Sequence, residues 1–129
     1  MNKILAPLSG VIGFALIAFG VYALVATTAI TDMTALEPRG VAGLNEARAI
    51  YAGSFWAMGG LILYGLATPR VRQPLLLAMG VIFAGFVVAR IISIAMDGYN
   101  PILAASIGSE ALAALILIAA SRAAPLSSV

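Results

Sequence analysis

Neither cysteine nor histidine occurs anywhere in the 129-residue chain. Without cysteine there is no disulfide, thiolate nucleophile, iron–sulfur ligation or zinc ribbon. Without histidine there is no imidazole base and none of the commonest metal ligand. Histidine-containing catalytic triads and histidine-held haem are therefore excluded, and no metal or other cofactor is expected. Charge is scarce as well: Asp, Glu, Lys and Arg make up 9% of the residues, against about 25% in an average soluble domain. Seven basic and five acidic side chains leave a formal charge of +2, too little for a nucleic-acid footprint, so no nucleic-acid partner is expected. What is present is apolar: 63% of residues, with a mean hydropathy of +1.10, where about 45–50% apolar is usual for soluble domains. Such a chain cannot cover a water-facing surface, and it reads as an integral membrane protein in contact with membrane lipids.

Four apolar segments, at about 4–26, 45–67, 74–96 and 101–122, each approach the roughly 20 residues that a membrane-crossing helix needs. Together they use up the chain as one integral membrane domain over residues 1–129, an all-α four-transmembrane-helix bundle. The first segment follows Lys3 and precedes Ala26-Thr27-Thr28-Ala29, which also suits a signal peptide. Its apolar run is long for an h-region, so an uncleaved helix is expected. Thr68-Pro69 ends the second helix, Pro74 suits the first turn of the third, and Asp97-Gly98-Tyr99-Asn100-Pro101 is a turn followed by a helix-starting proline. The longest connection runs from about Thr27 to Leu44. Asn45 then reads as an N-cap, with Glu46 in the positive field of the first turn. Pro125 to Val129 reads as a short polar tail.

Lys3, Arg70, Arg72 and Arg122 fall on one side of this four-pass arrangement, whereas Asp32, Glu37, Arg39 and Asp97 fall on the other. The positive-inside rule makes the first side, with both termini, cytoplasmic. The same bias argues against a dual-topology dimer.

Five ionisable residues lie in or at the ends of the spans: Glu46 and Arg48, Arg90 and Asp97, and Glu110. Arg90 and Glu110 sit at matching depth on consecutive antiparallel helices, about two turns from the outer end. Met79, Phe83, Phe86, Arg90, Ser93 and Asp97 form one helical stripe, and Leu103, Ser106, Glu110, Ala113, Leu117 and Ser121 form another. Arg48, Tyr51, Ala52, Phe55 and Gly59 share a face of the second helix, with Glu46 turned away from Arg48. A charge at depth in lipid usually faces the bundle and pairs, so Arg90 is expected to pair with Glu110. Arg48 and Asp97 would complete a hydrogen-bonded ring, with hydroxyls from Tyr51 and Ser93. Such a ring could simply lock the helices, or it could be the polar end of a pocket whose apolar floor holds a lipid-like tail. Gly10, Gly13 and Gly20 on the first helix, and Gly80, Ala84 and Gly85 on the third, read as packing faces that let backbones approach. Gly53 and Gly59-Gly60 do not follow a phosphate-cradling pattern. Tyr64 and Tyr99 suit an aromatic belt, while Trp56 is mid-span and ambiguous.

Asn45-Glu46-x-Arg48-Ala49-x-Tyr51-x-Gly53, Ala89-Arg90-x-x-Ser93-x-x-x-Asp97-Gly98 and Glu110 together resemble a bacterial four-helix integral membrane family of unknown function. That family in turn looks similar to the DoxX-like four-helix proteins. Ala52 stands where a second glycine before Gly53 is common. The resemblance covers the chain from first helix to last. It implies the bundle, a bacterial inner-membrane location and a signature made of these same polar positions, but no activity. Related-looking four-helix proteins include lipid and sterol binders or isomerases and accessory subunits of redox complexes, an analogy of fold alone.

Three functions are consistent with these readings. One is binding of an isoprenoid, quinone or other lipid-like molecule, with Arg48, Tyr51, Arg90, Asp97 and Glu110 at the polar end of the pocket. Were this an enzyme, Glu110 or Asp97 would be the acid or base; an arginine beside the carboxyl holds it ionised and favours binding over acid catalysis. The second is an accessory subunit, whose glycine faces dock a homo-oligomer or a larger membrane complex. The third is a small transporter using Glu110 as a proton-coupled site.

Overall fold

The computed structural model describes residues 3–123, with the side chain of Ile102 left aside. The tail expected over Pro125–Val129 lies outside the described residues. Six α-helices follow in order: α1 (Leu5–Val25), α2 (Thr27–Met33), α3 (Gly40–Arg48), α4 (Ser54–Ala67), α5 (Pro69–Asp97) and α6 (Ile102–Arg122). A π-helical turn, Ala49–Gly53, joins α3 to α4 as one continuous rod over Gly40–Ala67. Among the described residues there is no strand. Four rods (α1, α3–α4, α5 and α6) are long and apolar enough to cross a membrane, as a multi-pass membrane protein requires. The 29 residues of α5 run to about 43 Å, longer than the roughly 30 Å of a hydrocarbon core.

Successive rods pack antiparallel, and α6 returns to α1, closing a four-membered bundle. Glycines on α1, α4 and α5 make this possible. A Cβ on Gly59 would lie 2.6 Å from the carbonyl oxygen of Gly13, and one on Gly20 would lie 2.6 Å from Trp56 Cδ1. At Gly80 a Cβ would meet Ile118 Cγ1 at 2.6 Å. These positions are where backbones touch, and only glycine fits. The dry core of Leu16, Met58, Ile62, Leu76, Met79, Phe83, Ala113, Ala114, Leu117 and Ala120 lies toward the end that carries the termini.

Three boundaries differ from the sequence expectation. The connection after the first span contains α2, set off from α1 at Ala26, whose backbone leaves helical values at φ −116° and ψ 50°. Thr27 donates its hydroxyl back to Ala23 O at 2.9 Å, a local bond that competes with the helix ladder. Thr27, Ile30 and Thr31, at helical spacing, are buried while the rest of α2 faces outward. The second span starts at Gly40 rather than Asn45. Arg39 is extended and Gly40 takes φ +63°, so Asn45 and Glu46 lie inside the helix and Asn45 is no N-cap. The third span starts at Pro69, which occupies the first helical position after extended Thr68. Pro74 is therefore inside α5. Its missing N–H leaves the Arg70 carbonyl unbonded within the helix, which the exposed surroundings of both residues tolerate.

The breaks at Thr68-Pro69 and Gly98–Pro101 stand where the sequence puts them. Gly98, at φ +94°, stops α5, and its N–H donates to Ile94 O at 3.0 Å.

Candidate functional site

Burial along α5 is uneven. Leu76, Met79, Gly80 and Phe83 are buried, but nothing on α5 beyond Phe83 is, and among the described residues of α6 nothing before Ala113 is. The two helical stripes read from the sequence are therefore core at one end and open at the other, far from the termini. In this opened half Arg90 meets Glu110. The Arg90 Nε donates to Glu110 Oε2 at 2.7 Å and Nη2 donates to Oε1 at 2.8 Å, a two-pronged, charge-assisted contact. It is the only ion pair among the described residues, with the arginine side chain 35% exposed and the glutamate 14%. Antiparallel packing and the short Gly98–Pro101 connection bring residues 20 apart in sequence to the same depth.

With Nε and Nη2 engaged, Nη1 of Arg90 has no hydrogen-bond partner among the described residues. Arg90 is part of the wall of a shallow cleft of about 280 Å³ lined by Phe86, Ala89, Arg90 and Ser93, all on one face of α5. Phe86 packs edge-on against Phe83 at 6.0 Å, linking the cleft floor to the core. One turn farther out, Ser93 donates its hydroxyl to Asp97 Oδ2 at 3.3 Å. The Tyr51 ring stacks on Phe55 at 6.5 Å, and Phe55 meets Phe19 of α1 at 4.9 Å.

The closed ring of Arg48, Tyr51, Arg90, Ser93, Asp97 and Glu110 does not form. Arg48 Nε instead donates to Thr27 Oγ1 at 3.1 Å, and Tyr51 Oη donates to Thr34 Oγ1 at 3.2 Å. The cause is the wide turn at Ala49–Gly53. Adding one residue to a turn shifts the face of everything before it, so Ala47, not Arg48, comes into phase with buried Ala52, five residues on. Arg48 is rotated outward to the corner where α1 meets α2, and Tyr51 ties α2 to the rod. Thr27 and Thr34 were not among the residues singled out from sequence; the Thr27, Ile30, Thr31 spacing was the available signal.

Glu46 is exposed on α3 and lines a second hollow of about 230 Å³ together with Glu37, Thr31, Pro38, Ile50 and Tyr51. Asn45 is exposed beside it and lines neither hollow. Among the described residues no three metal-ligating side chains converge. The glycine faces divide: Gly13, Gly20 and Gly80 are covered within the chain, whereas Gly85 has open space around its Cβ position. Trp56 is accounted for by its contact with Gly20, and Tyr64 and Tyr99 are exposed near span ends.

The arrangement offers a compensated charge pair with one spare donor edge, beside apolar walls. No curated protein and no solved structure matches the chain. A domain of unknown function, DUF4345, matches residues 4–122, and the protein belongs to that family.

Proposed function

We propose that this protein binds a lipid-like amphiphile, of isoprenoid, quinone or related type, whose polar head enters the cleft at Arg90 while its tail stays in the bilayer. The observation that carries this reading is an arginine fixed by Glu110 through Nε and Nη2 that also lines a cleft with Phe86, Ala89 and Ser93. A side chain held by two hydrogen bonds presents its remaining donor with little entropy left to lose. A pocket of apolar walls with a few placed polar groups is the usual form of a small-molecule site. The basic bias of Lys3, Arg70, Arg72 and Arg122 supports an orientation with both termini in the cytoplasm of a bacterial inner membrane, and the cleft toward the outer leaflet. A distant kinship with DoxX-like bundles fits the same architecture.

The second reading is a scaffold or accessory subunit, favoured by the engagement of both Glu110 oxygens. The docking faces it draws on are reduced, because the α1 glycines are covered by α4 in the same chain.

Native mass spectrometry of gently solubilised protein tests the proposal. A non-covalently bound amphiphile is expected on the wild type and is expected to be lost from Ala89→Trp, which fills the cleft at an exposed position. Identical lipid content in the two proteins would sink it.

A further inference from the structure

The cleft carries information about the charge of what it takes. We infer that its ligand is electrically neutral and presents a hydrogen-bond acceptor, such as a carbonyl or ester oxygen, and that anionic head groups are rejected; this rests on the amphiphile reading above. The positive charge of Arg90 is already matched by Glu110, whose two carboxylate oxygens are both engaged. The next ionisable group on this face of α5 is Asp97, a further carboxylate one turn beyond the cleft that accepts from the cleft-lining Ser93. Arg48, the other arginine within a span at this end of the bundle, is turned away to Thr27. Along the path of a head group, then, two carboxylates face one guanidinium. An anion would have to pass Asp97 and settle beside Glu110, and like charges set together at low dielectric are strongly disfavoured.

Hydrogen-bond direction points the same way. The free edge of Arg90 only donates, and the Ser93 hydroxyl has committed its proton to Asp97, so the arginine is the donor the cleft wall offers a head group. A carbonyl oxygen satisfies Nη1 without adding charge. A trimethylammonium head carries no acceptor, so it leaves the donor edge of Arg90 unmet and sets a second cation beside the guanidinium at the cleft wall. At about 280 Å³ the cleft is at the small end of ligand sites, so it takes a head group and leaves the chain in lipid.

The test uses three probes with the same oleyl-length chain: methyl oleate, oleyl sulfate and oleyltrimethylammonium, each added to the protein in nanodiscs of zwitterionic lipid and read by native mass spectrometry. Methyl oleate is expected to be retained about tenfold better than either charged probe, and to be lost in Ala89→Trp. In Glu110→Gln the uncompensated arginine is expected to raise sulfate retention by about tenfold. Because that variant removes a structural contact, Asp97→Asn, at an exposed position, serves as its partner and is expected to shift retention the same way by a smaller factor. Sulfate retained by the wild type as well as the ester overturns the inference of neutrality and leaves amphiphile binding standing. Retention of none of the probes, or retention indifferent to Ala89→Trp, overturns both.

Discussion

The two halves of this bundle are held together by different means. Toward the termini, helices meet backbone to backbone at Gly13–Gly59 and at Gly80, and the space between them is filled by Leu76, Met79, Phe83 and Leu117. Among the described residues, α5 and α6 have no buried residue toward the other end, where the Arg90–Glu110 pair links them. In lipid, apolar side chains gain nothing by leaving their surroundings, so helices associate only where shapes interlock closely or polar groups find each other. The first half uses shape and the second uses charge. The half that uses charge is left open, and it carries the cleft.

Substitutions separate the two modes. The largest effect is expected from Gly59→Val. Its new side chain meets a main-chain carbonyl that cannot rotate away, so α1 and α4 must separate, at about 3 kcal/mol. Unfolding in mixed micelles with increasing SDS would measure it, and an unchanged midpoint would show that the helices are not in register as described. Glu110→Gln follows at about 2 kcal/mol, below the 3–5 kcal/mol of a fully buried pair because Arg90 is 35% exposed and can reach toward the interface. Adding Arg90→Gln is expected to restore most of that loss, since it removes the orphaned charge; a further loss of the same size would count against the pair. Tyr51→Phe removes a single tie to Thr34 and is expected to cost about 0.5–1 kcal/mol by the same assay, with hydrogen exchange rising in α2 rather than in the core. The smallest effect is expected at Gly85→Ala, where a Cβ meets open space. It should stay within about 0.5 kcal/mol of the wild type or gain slightly from helix propensity, while Gly80→Ala on the same helix loses stability.

The four spans, the stop at Thr68-Pro69 and the pairing of Arg90 with Glu110 were all legible in the sequence. Each rests on a property that single residues carry by themselves: hydropathy, the missing N–H of proline, or the expense of a lone charge in lipid. What escaped depends on backbone geometry that side-chain identity signals weakly. The helix before the second span is followed, one residue past its cap at Thr34, by Ala35 at φ +55°, a left-handed position usually held by glycine, so its stop signal is hidden. Gly40 begins the next helix with no side chain to announce a cap, and Asn45, which has the right chemistry, lies inside it. The wide turn at Ala49–Gly53 leaves no compositional mark at all, yet it decides that Arg48 bonds Thr27 instead of joining Arg90. A strict 3.6-residue count across that turn put five residues on one face and misplaced the first of them.

The short connection Gly98–Pro101 has a consequence for how the protein is made. Arg90 leaves the ribosome on a segment that, inserted alone, would carry an unpaired cation into the bilayer, at a cost below the roughly 2.5–3.5 kcal/mol of a helix-centre position. Its counter-charge emerges only 20 residues later, on the next helix. The two segments are thus expected to partition from the insertion machinery as a single hairpin, with the ion pair formed before either reaches lipid, so that a nascent chain cut short at Asn100 would be retained at the translocon while the chain extended through Arg122 is released.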